Sequence, residues 1–351
     1  MILKTFLYWR VCLFAIAALG ALAFTQIPNG GFGAIAAGKP FDYWLSWAQW
    51  DGGHYLQIAQ EGYRYFPNIA FFPLYPLLMK GLSFLFFNNL LFAGLFIANV
   101  SFLLFLVILF RFVKENYGKE VARNVLALYV LFPTSFFAVA LYSEGLYLFL
   151  SAIALTLYYK KKYIGAAAAV ALCCLTRNAG LLLFLALVID FLFKLKAGKF
   201  TKQNVINLFT FIAVAILPFS VYCLFLLINY GKSPLDFIAV QTYWGREVVD
   251  PFSTLASYIF SILTLENRPF LDYLDLVFTL VFLYVLTCNI QKIKRGIWIY
   301  SMLILLIPAS TGTLTSMPRY LLASIGAFIL IGQILTRHPK FKMPSLFLFL
   351  T

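Results

Sequence analysis

NNLLFAGLFIANVSFLLFLVILF, residues 88–110, runs without one Asp, Glu, Lys or Arg and is followed at once by Arg111 and Lys114. As a helix rising 1.5 Å per residue this stretch would be about 35 Å long. The hydrocarbon core of a bilayer is about 30 Å thick, so the stretch is long and apolar enough to cross it. Outward from it the same pattern recurs, with further apolar runs near 6–26, 124–142, 145–159, 163–177, 179–195, 205–230, 270–291, 297–315 and 319–336. Several are short and must be tilted, or buried beside water-filled space. The first run lacks a clean small-residue cleavage site before polar sequence, so it reads as an anchor and not as a removed signal. The expected fold is therefore all-α, a polytopic bundle of about ten transmembrane spans.

The composition agrees. The 351 residues are 63% hydrophobic, 19% aromatic and 11% charged, with a mean hydropathy of +0.89. Soluble domains carry about 25% charged residues. A soluble enzyme, a nucleic-acid binder and a disordered chain are excluded, and a transmembrane barrel would need short alternating strands, of which none is visible. The net charge of +14 does not point to nucleic acid, because Lys and Arg sit mostly in short clusters between apolar runs. The five cysteines, Cys12, Cys173, Cys174, Cys223 and Cys288, all fall inside apolar runs and form neither a disulfide framework nor a zinc spacing.

With ten spans both termini share one side. Placing them in the cytoplasm puts 19 of the 27 basic residues there, in clusters around Lys4 and Arg10, Arg111–Arg123, Lys160–Lys162, Lys194–Lys202, Lys292–Arg295 and Arg337–Lys342. That is the positive-inside pattern. The other 8 basic residues, Lys39, Arg64, Lys80, Arg177, Lys232, Arg246, Arg268 and Arg319, fall outside, with 10 of the 13 acids, among them Asp42, Asp51 and Glu144. Asp190, four residues before Lys194, reads as a helical ion pair. Two outer segments are long, 27–87 and 231–269. Neither an internal repeat nor a Gly/Ser-rich linker divides residues 1–351, so one domain is expected.

The first outer loop holds Trp44-Leu45-Ser46-Trp47-Ala48-Gln49-Trp50-Asp51-Gly52-Gly53-His54-Tyr55, and Tyr55, Ile58, Ala59 and Gly62 follow at helical spacing. An interfacial helix closed by Gly62 is expected. The three tryptophans fit a membrane-interface belt, or one of them stacks on a sugar ring. Asp51 is either the N-cap of that helix or a carboxylate held at the membrane surface as a general base. His54 is a second polar group of the same site or an interfacial histidine. Asn68-Ile69-Ala70-Phe71-Phe72-Pro73-Leu74-Tyr75-Pro76-Leu77 is broken by two prolines and should re-enter or lie at the interface; whether 71–87 spans, re-enters or lies flat stays open. Glu144 ends an apolar hairpin, as a solvated turn residue or a site carboxylate. Arg177, Arg246 and Arg319 are isolated outer cations, and a guanidinium suits phosphate because its planar fork donates two parallel hydrogen bonds.

Taken in order, Trp50-Asp51, Ala70-Phe71-Phe72-Pro73-Leu74-Tyr75-Pro76, Pro133-Thr134-Ser135-Phe136-Phe137, Tyr142-Ser143-Glu144, Thr176-Arg177-Asn178 and Ser316-Met317-Pro318-Arg319-Tyr320-Leu321-Leu322 resemble the PIG-V-like mannosyltransferases, relatives of the second mannosyltransferase of glycosylphosphatidylinositol anchor assembly. That resemblance implies the GT-C class of membrane glycosyltransferases. It also implies a polyprenyl-phosphate sugar donor, mannose in this family, used at the non-cytoplasmic face, with Asp51 as the acidic residue of the first outer loop. On this reading Asp51 is the general base and the sugar moves with inversion to a glycolipid or glycan hydroxyl. Arg319, Arg177, Arg246 and His54 are the candidates for the donor phosphate. Trp50, Tyr55, Glu144, Tyr75, Gln241 and Trp244 are the candidates for sugar or acceptor contact. No cofactor or metal is expected, since no Asp-x-Asp cluster occurs. The expected partners are the lipid-linked donor, the acceptor and membrane lipids, and no nucleic acid. The chain is shorter than eukaryotic members and shows no organelle-retrieval signal, so a prokaryotic plasma membrane is the expected location, or the endoplasmic reticulum if eukaryotic. The rival is a transporter or lipid flippase, which would distribute polar residues along a path reaching both sides.

Overall fold

The structure, a computed structural model, describes residues 1–23, 43–197, 201–264, 266 and 268–341. Lys39, Asp42, Lys199, Lys342, the end of the first apolar run and the start of the first outer loop lie outside the described residues. Fifteen α-helices and no strand occur among those described.

In chain order the helices are α1 (Ile2–Ala23), α2 (Asp51–Glu61), α3 (Leu74–Leu82), α4 (Leu90–Tyr117), α5 (Lys119–Leu131), α6 (Glu144–Tyr159), α7 (Tyr163–Cys174), α8 (Ala179–Lys196), α9 (Lys202–Tyr230), α10 (Asp236–Ala239), α11 (Pro251–Leu263), α12 (Phe270–Cys288), α13 (Arg295–Ala309), α14 (Met317–Leu321) and α15 (Ile325–Arg337). Each of the ten apolar runs holds one of the longer helices. Ile2–Gly20, Leu90–Tyr117, Lys202–Tyr230 and Phe270–Cys288 are long and apolar enough to cross a membrane alone. Outward-facing apolar side chains such as Phe209, Leu217 and Ile228 stay exposed on α9, as lipid-facing positions do in an integral membrane protein.

The bundle mixes antiparallel sequence neighbours with parallel pairs two spans apart, α4 with α6 and α7 with α9. α4 packs on α5 and α6, α6 on α7, α7 on α8 and α9, α8 on α13, and α5 on α15. Alternation sends the links α1–α4, α5–α6, α7–α8, α9–α12 and α13–α15 to one end. Backbone hydrogen bonds tie these links together: Leu141 N–H to the Trp47 carbonyl at 2.9 Å, Leu74 N–H to Leu175 at 2.9 Å, and Glu247 N–H to Thr311 at 3.2 Å.

Two apolar runs are divided that the sequence reading kept whole, and a segment it left open takes a definite form. The run 124–142 is helical only to Leu131, because Pro133 cannot donate to the ladder and its predecessor Phe132 is driven extended (ψ 132°). Its second half returns as a 3-10 turn, Ser135–Ala138, that leads into Glu144. The run 319–336 splits, with short α14 carrying Arg319 and α15 beginning six residues later. Residues 71–87 hold a single short helical segment, α3 continued by the 3-10 turn Ser83–Phe86, that packs on α4: Pro73 is its N-cap and Pro76 sits in its first turn, where a missing N–H costs nothing.

Arg10 departs from the charge-sorting scheme. It is buried in α1, donates through Nε to Asn99 Oδ1 at 2.6 Å and through Nη2 to the Val139 carbonyl at 3.4 Å, and lies 4.3 Å over the Trp47 ring. These partners belong to the end that carries Asp51 and Glu144, so Arg10 leaves the opposite basic cluster in which its sequence position had placed it. The expected Asp190–Lys194 pair is present at 2.6 Å.

Candidate active site

Two carboxylates enter the site from helix N-termini, where the exposed amides and the helix dipole favour negative charge. Asp51 is the first residue of α2 and Glu144 the first of α6. The N-cap of α2 is Trp50, so Asp51 is not a capping residue; its carboxylate turns away from its own helix. Trp50 holds φ 49°, ψ −114°, a region that side-chain-bearing residues rarely adopt. That kink aims α2 and Asp51 across the bundle end. Glu144 is brought in by close packing at Gly145, where a Cβ would lie 2.3 Å from the Ala138 carbonyl oxygen and 2.7 Å from that of Ala98. Only glycine fits.

Arg319 joins the acids. Its Nη2 donates to Asp51 Oδ2 at 2.5 Å and its Nε donates to Glu144 Oε1. Arg177 Nη1 reaches the same Glu144 oxygen at 2.7 Å and donates to Ser143 Oγ at 3.2 Å. Ser143 Oγ in turn shares a 2.6 Å hydrogen bond with the Tyr55 hydroxyl. The guanidinium of Arg319 lies 4.7 Å over Tyr142 and 4.9 Å over Phe137, a cation–π seat that fixes its plane. The quartet is charge-balanced and shielded, with side-chain exposures of 25% for Asp51, 12% for Arg319, 14% for Arg177 and 5% for Glu144. Glu144 is thus a buried, doubly paired carboxylate and not a solvated turn residue. Its Oε2 is buried with no hydrogen-bond partner.

Burial works against ionisation of Asp51. The adjacent Arg319 charge and hydrogen bond outweigh it, with the Arg177 and His54 charges behind, and hold the carboxyl below its ordinary range. His54 moves the other way for an imidazole: burial dominates and lowers it, against the hydrogen bond to Asn68 and the Asp51 charge. It is the neutral ring near pH 7.

A cavity of about 630 Å³ opens beside the quartet. Glu144, Arg177, Arg246, Arg319 and Gln241 gather along its polar part, while Leu148, Leu182, Ile304, Ile307 and Leu322 make much of the rest apolar. Arg246 Nη1 donates to the Tyr320 hydroxyl at 2.6 Å and to Gln241 Oε1 at 3.5 Å. Asp51 does not line this cavity; it stands across Arg319 from it, next to exposed Trp50. Arg319 therefore separates a cavity side from an Asp51 side.

The other sequence candidates fall elsewhere. His54 shares a 2.8 Å hydrogen bond through Nδ1 with Asn68 Oδ1 and stacks on Phe71 at 4.5 Å, away from the cavity wall, so it is poorly placed as a phosphate donor. Trp244 packs edge-on to both His54 and Phe71. Tyr55 is buried and serves the network through Ser143. Tyr75 is fully buried with its hydroxyl donated to the Gly94 carbonyl at 3.0 Å, a packing role and not a sugar contact. The sequence reading quoted Tyr142 and Ser143 only as part of the Tyr142-Ser143-Glu144 motif, with no role of their own, and gave Asp275 none. The first two directly precede Glu144, which is the signal that could have found them. Asp275 Oδ2 accepts from Ser316 N–H at 3.2 Å and so holds the turn that presents Arg319; nothing in its apolar surroundings marked it. Among the described residues no three His, Cys, Asp or Glu side chains come together as a metal would need.

Helices of this number and length, with a carboxylate–guanidinium cluster confined to one bundle end beside an apolar-walled cavity, define a polytopic membrane protein with an interfacial polar site. The sequence profile of the mannosyltransferase (PIG-V) family matches residues 36–233, more than half of the chain, and the chain belongs to that family of membrane glycosyltransferases. Among solved structures it is similar to ArnT from Cupriavidus metallidurans bound to undecaprenyl phosphate, at 12% identity and a TM-score of 0.53, covering 93% of this chain and 60% of that one. It is similar also to the apo state of the same protein, at 13% identity and 0.52, covering 93% and 59%. The chain thus spans about 60% of the length of these structures, and the likeness is one of fold, the GT-C architecture. No curated protein matches in sequence.

Proposed function

We propose that the protein transfers mannose from a polyprenyl-phosphate carrier to an acceptor hydroxyl at the non-cytoplasmic face. The carrying observation is the cavity in which Arg177, Arg246 and Arg319 meet an apolar wall. A phosphate on a long hydrocarbon chain needs both at once: charge-assisted donors for its oxygens and an apolar path for its tail. The ArnT structure described as bound to undecaprenyl phosphate supports a lipid-phosphate ligand for this fold. The basic clusters at the opposite bundle end support the outward orientation of the site.

The mechanism follows from the two sides of Arg319. The donor phosphate lies with the cavity arginines, and the acceptor approaches from the Asp51 side. Asp51, ionised through its contact with Arg319, takes the hydroxyl proton as the acceptor oxygen bonds to the anomeric carbon and the bond to the phosphate oxygen breaks. The leaving lipid phosphate keeps that electron pair and is stabilised by the arginines. Attack opposite the leaving group inverts the anomeric centre. General-base assistance of this kind contributes about 10²–10⁴-fold.

The test is transfer in proteoliposomes from radiolabelled polyprenyl-phosphate mannose, with a sugar nucleotide as the control donor and product stereochemistry determined. Transfer from the lipid donor alone, with inversion and loss in Asp51→Asn, is expected. Transfer from the nucleotide, retention of configuration, or lipid movement without sugar transfer would overturn the reading.

A further inference from the structure

The bundle end opposite the active site carries a second cavity that the transfer reaction does not use. It is a groove of about 670 Å³ between α8 and the α12–α13 link. Ile189 and Phe193 of α8, Ile290 and Ile293 of the link, and Trp298 and Ile299 of α13 form an apolar floor. Trp298 is fixed there by donation from Nε1 to the Leu286 carbonyl at 2.9 Å. Arg295 closes one edge with its guanidinium 4.7 Å over the Phe193 ring.

The charge around the groove is one-sided. Arg295, the first residue of α13, lines the groove itself; Lys292 and Lys294 precede it on the link, and Lys194 follows Phe193 on α8. The acid packed among them, Asp190, is engaged by Lys194 Nζ at 2.6 Å and by the Tyr158 hydroxyl at 2.8 Å. Lys294 Nζ rests 4.4 Å over the Tyr159 ring and Lys194 Nζ 4.2 Å over Tyr158. Lys194, Lys294 and Arg295 are thus held against aromatic faces, Lys292 Nζ donates to Asn289 Oδ1 at 2.5 Å, and among the described residues no carboxylate pairs with Arg295 or Lys292. A soluble anion would have no use for the apolar floor, and a neutral lipid none for the cations.

We propose that this groove binds an anionic phospholipid, its phosphodiester at Arg295 with Lys292 and Lys294 beside it and an acyl chain along the Ile189–Phe193–Trp298–Ile299 floor. Charge complementarity and the apolar floor together select that occupant. α8 and α13 also line the active-site cavity through Leu182 and Ile304, so a lipid seated here braces the helix pair on which that cavity depends.

The test is native mass spectrometry of the purified full chain with phosphatidylglycerol, with phosphatidylcholine of the same chains, and with sn-glycerol 3-phosphate as the soluble arm. A retained phosphatidylglycerol adduct, several-fold preferred over phosphatidylcholine and not displaced by glycerol phosphate, is expected. Arg295→Gln, at an exposed position, should weaken it about fivefold, since one cation near an anionic lipid contributes about 1 kcal/mol. Ile299→Trp, which fills the groove and touches no charge, should remove the adduct. Equal retention of both lipids, displacement by glycerol phosphate, or an adduct unchanged in both variants would overturn the proposal.

Discussion

Replacing Glu144 by Gln tests whether the quartet is a coupled unit. In the folded chain Glu144 Oε1 receives both Arg177 Nη1, at 2.7 Å, and Arg319 Nε. Gln keeps an acceptor oxygen of nearly the same shape but no charge. Two guanidinium groups, exposed by only 12% and 14%, would then face Asp51 alone. Breaking a buried ion pair from one side costs about 3–5 kcal/mol, most of it the penalty of the charge left behind. Arg177→Gln should cost a similar amount, because it leaves two carboxylates to Arg319. The double variant restores neutrality, so its cost should fall short of the sum of the singles by up to about 3 kcal/mol, the upper range for residues in contact. The assay is thermal unfolding of each purified variant in one detergent, with the double variant melting above the midpoint that the two single costs would give if they simply added. Costs that add to within about 0.5 kcal/mol would mean that Glu144 and Arg177 do not meet in the folded protein, and the charge-balanced site would be wrong.

The remaining predictions concern activity and geometry. Asp51→Asn should lower kcat about 10²–10⁴-fold while leaving donor KM unchanged or lower, since the carboxylate competes with phosphate for Arg319; steady-state kinetics would separate the two. On the proposed mechanism Asp51 acts as base in its deprotonated form, and its folded value lies below the ordinary carboxylate range. Its ionised form, and the ion pair it makes, therefore persist as pH falls through that range and are lost only below it, so a pH–rate profile should show no acid limb from Asp51 between pH 7 and 5. Arg319→Lys should raise donor KM and lower kcat together, because one ammonium cannot span Asp51 and Glu144 as Nη2 and Nε do; unchanged kinetics would remove Arg319 from the site. Gly145→Ala must displace the Ala138 or Ala98 backbone, and a fall in the unfolding midpoint corresponding to about 1–3 kcal/mol is expected.

Much of the scaffold was legible because a bilayer imposes a strong one-dimensional constraint. A residue that faces lipid must be apolar, and a backbone that crosses must be helical, so Leu90–Tyr117 and Lys202–Tyr230 could be read directly. Segregated cations likewise marked the two bundle ends. Helix boundaries were less legible: Pro133 ended a helix inside an apolar run because backbone donors, not hydropathy, decide where a ladder stops. The site residues were legible as polar exceptions at one end, but their roles were not. Arg319 and Asp51 are 268 positions apart, and no local pattern says which acid an arginine will meet.

What the sequence determined by itself was a ten-run helical membrane protein with its irregular polar groups gathered at one end. Only the tertiary structure decided that Asp51 and Glu144 share Arg319, that Arg10 sits with the site end, and that Tyr75 and His54 turn into packing. The physical reason is that side-chain direction at a helix end depends on how each link closes over its neighbours. The positive φ of Trp50 and the close approach at Gly145 fix those directions, and neither is visible until the helices are packed.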